Sequence, residues 1–258
     1  MSANGAMEAE FRAKRAAGRK LLVPYVTGGY SGWQDSLRAA VAGGADAIEI
    51  GIPFSDPVMD GPVIQQASQQ ALDDGATPVS ILHEVRSLDV QVPLAVMLYY
   101  NTVHHAGHGR FAAELADAGI VAAIVPDLPL EEAGPWCAAA DAAGIETVML
   151  AAPTAPDSRL PLVCARARGF VYSVGLLGVT GERTRLASTA VALAARLKAV
   201  TDVPVLVGVG VSDAEQAAEA STVADGVVMG ASVVRRMMEG GADAVGEFVA
   251  GVRRRLDA

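Results

Sequence analysis

Short, nearly continuous apolar runs alternate along this chain with longer stretches in which apolar residues recur every three or four positions. The runs fall at Leu21 to Thr27, Ala47 to Ile52, Leu94 to Tyr99, Ala122 to Val125, Thr147 to Leu150, Phe170 to Val174, Val205 to Val209 and Gly226 to Met229. They predict eight strands. The stretches between them, rich in alanine, predict helices over Trp33 to Ala42, Val79 to Leu88, Phe111 to Ala118, Ala133 to Ala143, Arg159 to Ala167, Thr189 to Val200, Ala214 to Ala220 and Asp243 to Arg254. An amphipathic helix carrying Glu8, Glu10, Arg12, Lys14 and Arg15 precedes the first strand. Gly43, Gly119, Gly144 and Gly169 stand where a left-handed helix end needs glycine, and Ser212 and Asp157 stand as N-cap candidates.

Strands that are apolar on both faces belong to a parallel sheet covered by helices, not to an antiparallel sandwich. Eight evenly spaced βα units favour a closed (β/α)8 TIM barrel with an extra N-terminal helix over an open, doubly wound sheet. The length of 258 residues fits such a barrel. No linker or low-complexity tract interrupts the alternation, so residues 1–258 read as a single domain.

Composition narrows the function. Apolar residues make up 52% of the chain and charged ones 19%, enough for a large core. A net charge of −9 disfavours nucleic acid, whose binding rests on clustered Lys and Arg. With no long uncharged apolar run and no signal peptide, the expected location is cytoplasmic. Cys137 and Cys164, two and far apart, suggest neither a disulfide framework nor a metal site.

In a barrel of this kind chemistry sits at the C-terminal ends of the strands. Side-chain alternation that turns Ile48 and Ile50 outward turns Ala47, Glu49 and Gly51 inward, which puts a carboxylate in the mouth. Burial raises a carboxyl pKa towards neutrality, the condition for a general acid or base; a structural ion pair is the other reading. Asp60 follows in SDPVMDGP, where Asp before Gly is also a common turn. Glycine turns at LLGVTG (Gly178 to Gly181), GVGVS (Gly208 to Gly210) and Gly230 follow the last three strands, and in order they suggest a phosphorylated substrate, although glycine also serves tight βα turns. A Schiff base needs a lysine in the mouth, and Lys14, Lys20 and Lys198 are not placed for one. His104, His105 and His108 cluster after the third strand beside Asn101, but adjacent histidines on a strand or helix point in different directions, loop histidines are more often solvated, and no fourth ligand is evident, so they make a weak metal site. What remains is a phosphate grip and two carboxylates, suited to acid–base cleavage of a bond.

The chain resembles the tryptophan synthase α-subunit family over nearly its whole length. The resemblance rests on EIGIPFSDPVMDGPVIQ, supported by PYVTGG, LYYNT, VPDLPLEE, GVTG, GVGVS and ADGVVMGAS, in order. It implies retro-aldol cleavage of indole-3-glycerol phosphate to indole and glyceraldehyde 3-phosphate, late in tryptophan biosynthesis. Glu49 would be the acid–base residue acting at indole C3, and Asp60 would accept the indole N–H. Tyr172 matches a tyrosine near the glutamate, and Thr180 a loop threonine that bonds Asp60 when a lid from Thr180 to Arg185 closes. Gly181, Gly208, Gly210 and Gly230 match phosphate loops, while Tyr25, Met97, Tyr99 and Asp127 line or flank the indole pocket. The chain departs from the family at Ala231, where a phosphate-binding serine is usual, and Ser232 is expected to turn away. It also departs at Gly175, Leu176, Leu177 and Thr102. The resemblance implies a β-subunit partner in an αββα complex, with pyridoxal phosphate in that partner and no cofactor in this chain. A stand-alone lyase releasing free indole and a non-catalytic activator of a β chain are the alternatives.

Overall fold

A computed structural model describes residues 5–175, 188–208 and 210–258. Its strands are β1 (Leu21–Thr27), β2 (Ile48–Gly51), β3 (Leu94–Met97), β4 (Ala122–Ile124), β5 (Glu146–Ala151), β6 (Val171–Val174), β7 (Val205–Gly208) and β8 (Gly226–Met229). They pair in chain order, all parallel, and β8 returns to β1 to close an eight-stranded barrel. The helices are α1 (Ala6–Ala16), α2 (Trp33–Ala42), α3 (Pro62–Asp73), α4 (Pro78–Val85), α5 (Tyr100–Ala106), α6 (His108–Asp117), α7 (Gly134–Ala143), α8 (Leu160–Arg166), α9 (Ser188–Lys198), α10 (Ala214–Ser221) and α11 (Ala231–Leu256). The expected strands are all present, with ends shifted by a residue or two.

Three helical pieces differ from the sequence reading. Helix α3 buries Ile64, Ala67, Ser68 and Ala71, a face of helical period that carries one large apolar side chain and so escapes a hydrophobicity reading. Helix α5 buries only Val103. Helix α11 starts twelve residues before the expected Asp243 and bends at Gly241, whose φ of 62° and ψ of −151° no helix contains. Three cap assignments also change. Gly43 is right-handed, and its neighbour Gly44 takes the positive φ; Gly119, Gly144 and Gly169 are left-handed as expected. Asp213, not Ser212, caps α10 by accepting the Gln216 N–H, while Asp157 lies outside α8 and receives Arg196.

The N-terminal end of the barrel is closed by α1. Met7 and Phe11 are fully buried beneath the strands, and the Glu146 carboxylate accepts the N–H groups of Met7 (2.7 Å) and Glu8 (3.0 Å) at the start of that helix. Fully buried Asp46 accepts the Leu22 N–H at 2.9 Å and pairs with Lys14, Arg19 and Arg253 at 3.1, 2.7 and 3.2 Å. Asp225 accepts the Val205 N–H and pairs with Lys198. These contacts tie α1 and the end of α11 to the strand beginnings. All three lysines are engaged here: Lys14 at Asp46, Lys20 at the Ala224 carbonyl and Lys198 at Asp225. The opposite end is left to the loops that follow the strands.

Candidate active site

Glu49 stands on β2 in register with Tyr25 of β1 and Ala95 of β3, its side chain 3% exposed. Burial, reinforced by the charge of Asp60, raises its carboxyl to about 8. Asp60 ends the loop that follows β2, and burial lifts its carboxyl to about 6 while the Tyr99 hydroxyl beside it pulls the other way. One oxygen of each, Glu49 Oε2 and Asp60 Oδ1, is buried without a hydrogen-bond partner. A buried polar atom left unpaired costs about 1–3 kcal/mol. Two of them in one cavity mark a place built for incoming polar groups.

The loop bearing Asp60 is pinned by its own sequence. The Tyr99 hydroxyl accepts the Met59 N–H at 3.0 Å, and the Phe54 ring stacks on the Tyr99 ring with centroids 5.2 Å apart. The Gln65 side-chain amide donates to the Asp60 carbonyl at 2.7 Å. Pro62, in the first turn of α3, then fixes the chain direction immediately after Asp60 and Gly61.

Tyr25, Met97, Tyr172, Gly210, Gly230 and Ala231 line the same cavity as the two carboxylates. Its apolar wall adds Ile64, Ile124, Leu150, Val174 and Val228, which the sequence reading missed. The strand residues among these follow from alternation along β4, β5, β6 and β8, whereas Ile64 needed α3 to be seen first. Among the described residues no side chain caps the start of α11, so its first N–H groups are open to an anion beside Gly230 and Ala231. The Ser232 hydroxyl is buried and donates to the Val211 carbonyl at 3.4 Å, turned away as expected.

Three further expected residues flank this cavity rather than line it. Tyr99 holds the Asp60 loop and does not line the cavity. Asp127 accepts the Tyr100 N–H with both carboxylate oxygens, at 2.9 and 3.1 Å, at the start of α5, and it lines a neighbouring hollow. Gly208 seats a ring: a β-carbon there would lie 2.3 Å from the Tyr172 hydroxyl oxygen. Gly51 does the same for Tyr25, at 1.8 Å from its hydroxyl oxygen. Thr180, Gly181 and the expected lid to Arg185 lie outside the described residues.

The histidines belong to helices, not to a loop. His104 and His105 are on α5 and His108 opens α6, where it bonds the Tyr100 hydroxyl at 3.0 Å and stacks on that ring. Among the described residues no group of three or more His, Cys, Asp or Glu could hold a metal ion, and no helix is long and apolar enough to cross a membrane. Cys137 and Cys164 are buried free thiols.

Comparison with known proteins agrees with the geometry. The family model for the tryptophan synthase alpha chain matches residues 11–251. The tryptophan synthase alpha chain of Thermobifida fusca is 47% identical over 232 residues, covering 87% of this chain and 86% of that one. That of Halorhodospira halophila is 43% identical over 258 residues, covering 96% and 94%. Among solved structures, Mycobacterium tuberculosis tryptophan synthase superposes with a TM-score of 0.92 at 35% identity, covering 99% of both chains.

Proposed function

Because this chain belongs to the tryptophan synthase alpha chain family, lyases that cleave indole-3-glycerol phosphate, we propose that Glu49 and Asp60 divide the chemistry of that cleavage between them. The supporting observation is the pair of unpartnered, buried carboxylate oxygens in one cavity, on two groups whose burial holds their pKa values near 8 and near 6. At neutral pH this arrangement keeps Glu49 protonated and Asp60 ionised. One group is an acid and the other an anion.

Asp60 accepts the indole N–H and stabilises the positive charge that develops on that nitrogen. Glu49 gives its proton to indole C3. The ring then becomes an electron sink, and the bond from C3 to the side-chain carbinol carbon breaks with its electron pair returning to the ring. The carbinol oxygen loses its proton to the Glu49 carboxylate as the aldehyde forms, so the glutamate ends as it began. The electron sink is the protonated indole itself, which suits a cavity whose end of the barrel holds none of the three lysines.

The substrate phosphate is assigned to the N–H groups at Gly230 and Ala231, at the start of α11, and at Gly210. Met97, Tyr172 and the apolar wall would enclose the indole, with Tyr99 positioning Asp60. Gly208 acts through Tyr172, and Asp127 through the start of α5. Thr180 and Gly181 keep their assignment as lid and phosphate-loop residues, and residues 1–258 act as one domain.

A β subunit is the proposed partner, in an αββα assembly in which it carries the pyridoxal phosphate and this chain carries no cofactor; the working compartment is the cytoplasm. The loop holding Val58, which is 67% exposed, and the segments following Asn101 and Asp127 form the proposed contact face. A coupled assay for glyceraldehyde 3-phosphate release, run with and without a cognate β chain, tests the reading. Release that rises on adding the β chain supports it. Equal and rapid release by the chain alone favours a stand-alone lyase, and no release in either case removes the catalytic reading.

A further inference from the structure

Resting on that reading, we propose that the Tyr25 hydroxyl is a further catalytic group: it donates a hydrogen bond to the carbinol oxygen of the substrate, the oxygen that becomes the aldehyde when the carbon–carbon bond breaks.

Tyr25 projects from β1 into the barrel and lines the cavity with Glu49 and Asp60. Its backbone is in register with Glu49, and two residues further along the strands Thr27 is in register with Gly51. The ring is fitted over Gly51 so closely that a β-carbon at that position would lie 1.8 Å from the phenol oxygen and 2.3 Å from Cζ. No side chain but glycine leaves this space open. The phenol is thereby held at a fixed height above the Glu49 layer, towards the mouth.

A hydroxyl held so firmly ordinarily has a partner, because an unpaired polar group in a protein interior is costly. The side chain facing this one is the Thr27 hydroxyl, which acts on the phenol oxygen as a donor and so leaves the phenol's own proton uncommitted. Both carboxylates act on the phenol electrostatically, Asp60 the more strongly, and together with burial they keep it in its neutral, donating form. It therefore offers one proton to an acceptor that enters the cavity.

The substrate's own chemistry identifies that acceptor. The indole N–H is a donor and already matches Asp60, and the ring faces are apolar. The oxygen next to the breaking bond is an acceptor that must sit within reach of Glu49, since Glu49 takes its proton. As that proton leaves, negative charge grows on the oxygen before the carbonyl forms, and a preplaced neutral donor stabilises that charge. The phenol keeps its own proton throughout, so the atom and electron balance of the cleavage is unchanged.

Tyr25→Phe removes the oxygen and keeps the ring. The parent and this variant are compared for cleavage of indole-3-glycerol phosphate and for binding of a substrate analogue whose side chain carries plain methylenes in place of the hydroxylated carbons. The expected result is a kcat lowered by roughly 10²–10³-fold with affinity for the analogue unchanged. Unchanged kcat overturns the proposal, and so does parallel loss of kcat and analogue affinity, which would show that the hydroxyl only supports packing. A parent without cleavage activity instead overturns the functional reading beneath it, so the two failures are distinguishable.

Discussion

Tyr172 of β6 occupies the space that a side chain on Gly208 of β7 would need, its hydroxyl oxygen lying 2.3 Å from where a β-carbon would be. Glycine at the end of β7 is therefore explained by the ring beside it, without an anion being invoked. Gly208→Ala is expected to force Tyr172 out of the cavity wall and to cost about 1–3 kcal/mol of stability, as overpacking in a core does. Cleavage should fall with it. Urea unfolding of the variant and the parent checks this. A variant as stable as the parent would contradict the close fit.

The two carboxyls set the pH dependence of cleavage. The active form needs Asp60 ionised, above about pH 6, and Glu49 protonated, below about pH 8. The profile of kcat/KM should be a bell with limbs near these values. Asp60→Asn should lower activity and flatten the acidic limb, since that limb belongs to Asp60. An unmoved acidic limb would assign it to another group.

Ionisation of Glu49 should lower stability as well as activity. Its folded-state carboxyl is raised above the usual value of 4.5, so between pH 4.5 and about 8 the native state holds a proton that the unfolded state has released. Stability contributed by the protonated form is present below 4.5 and is lost as pH rises through that window. Glu49→Gln, which never ionises, should gain on the parent across the same range, by a few kcal/mol on the order of magnitude at pH 8. Urea midpoints at pH 5 and pH 8 measure it, and a difference that does not grow with pH would show that Glu49 is not buried as described.

Asp46 is a purely structural counterpart. Its carboxylate, fully buried, neutralises Arg253, which is itself 6% exposed, and ties the end of α11 to the start of β2. Asp46→Ala leaves that guanidinium short of its buried partner and should destabilise the barrel by roughly 3 kcal/mol. The loss should appear in thermal unfolding, with the pH profile of remaining activity unchanged.

Ala231 bears on substrate affinity. It lines the cavity at the start of α11, and the neighbouring Ser232 hydroxyl is committed to Val211. Ala231→Ser adds a hydroxyl donor beside the assigned phosphate position. A hydrogen bond to a charged group is worth about 1.5–3 kcal/mol, so KM should fall by at least about tenfold. An unchanged KM removes the phosphate from this position.

Strand order and the inward placement of Glu49 were legible because period-2 alternation and helical spacing survive in the residues themselves. The pairing of Ile48 and Ile50 outward with Glu49 inward needed nothing more. Helix α3 was not legible, since its buried face is Ile64, Ala67, Ser68 and Ala71 and carries too little apolar bulk. The histidines of α5 and α6 looked like loop residues for a similar reason, as Val103 alone anchors α5. The seats under Tyr25 and Tyr172 depend on contacts between neighbouring strands, so Gly51 read only as an inward strand position and Gly208 as a phosphate-loop glycine. Asp127 flanks the site and also holds the start of α5, a contact that spacing along the chain cannot show.

The central claim is that Glu49 moves the proton on which bond cleavage depends. Its most direct test is the release of indole and glyceraldehyde 3-phosphate from indole-3-glycerol phosphate by the parent chain and by Glu49→Gln, at pH 7 and with the same β chain present. The account predicts equimolar products from the parent and a fall of roughly 10²–10⁴-fold in the variant, the range for losing a positioned acid–base group. A variant that cleaves at the parental rate would contradict it.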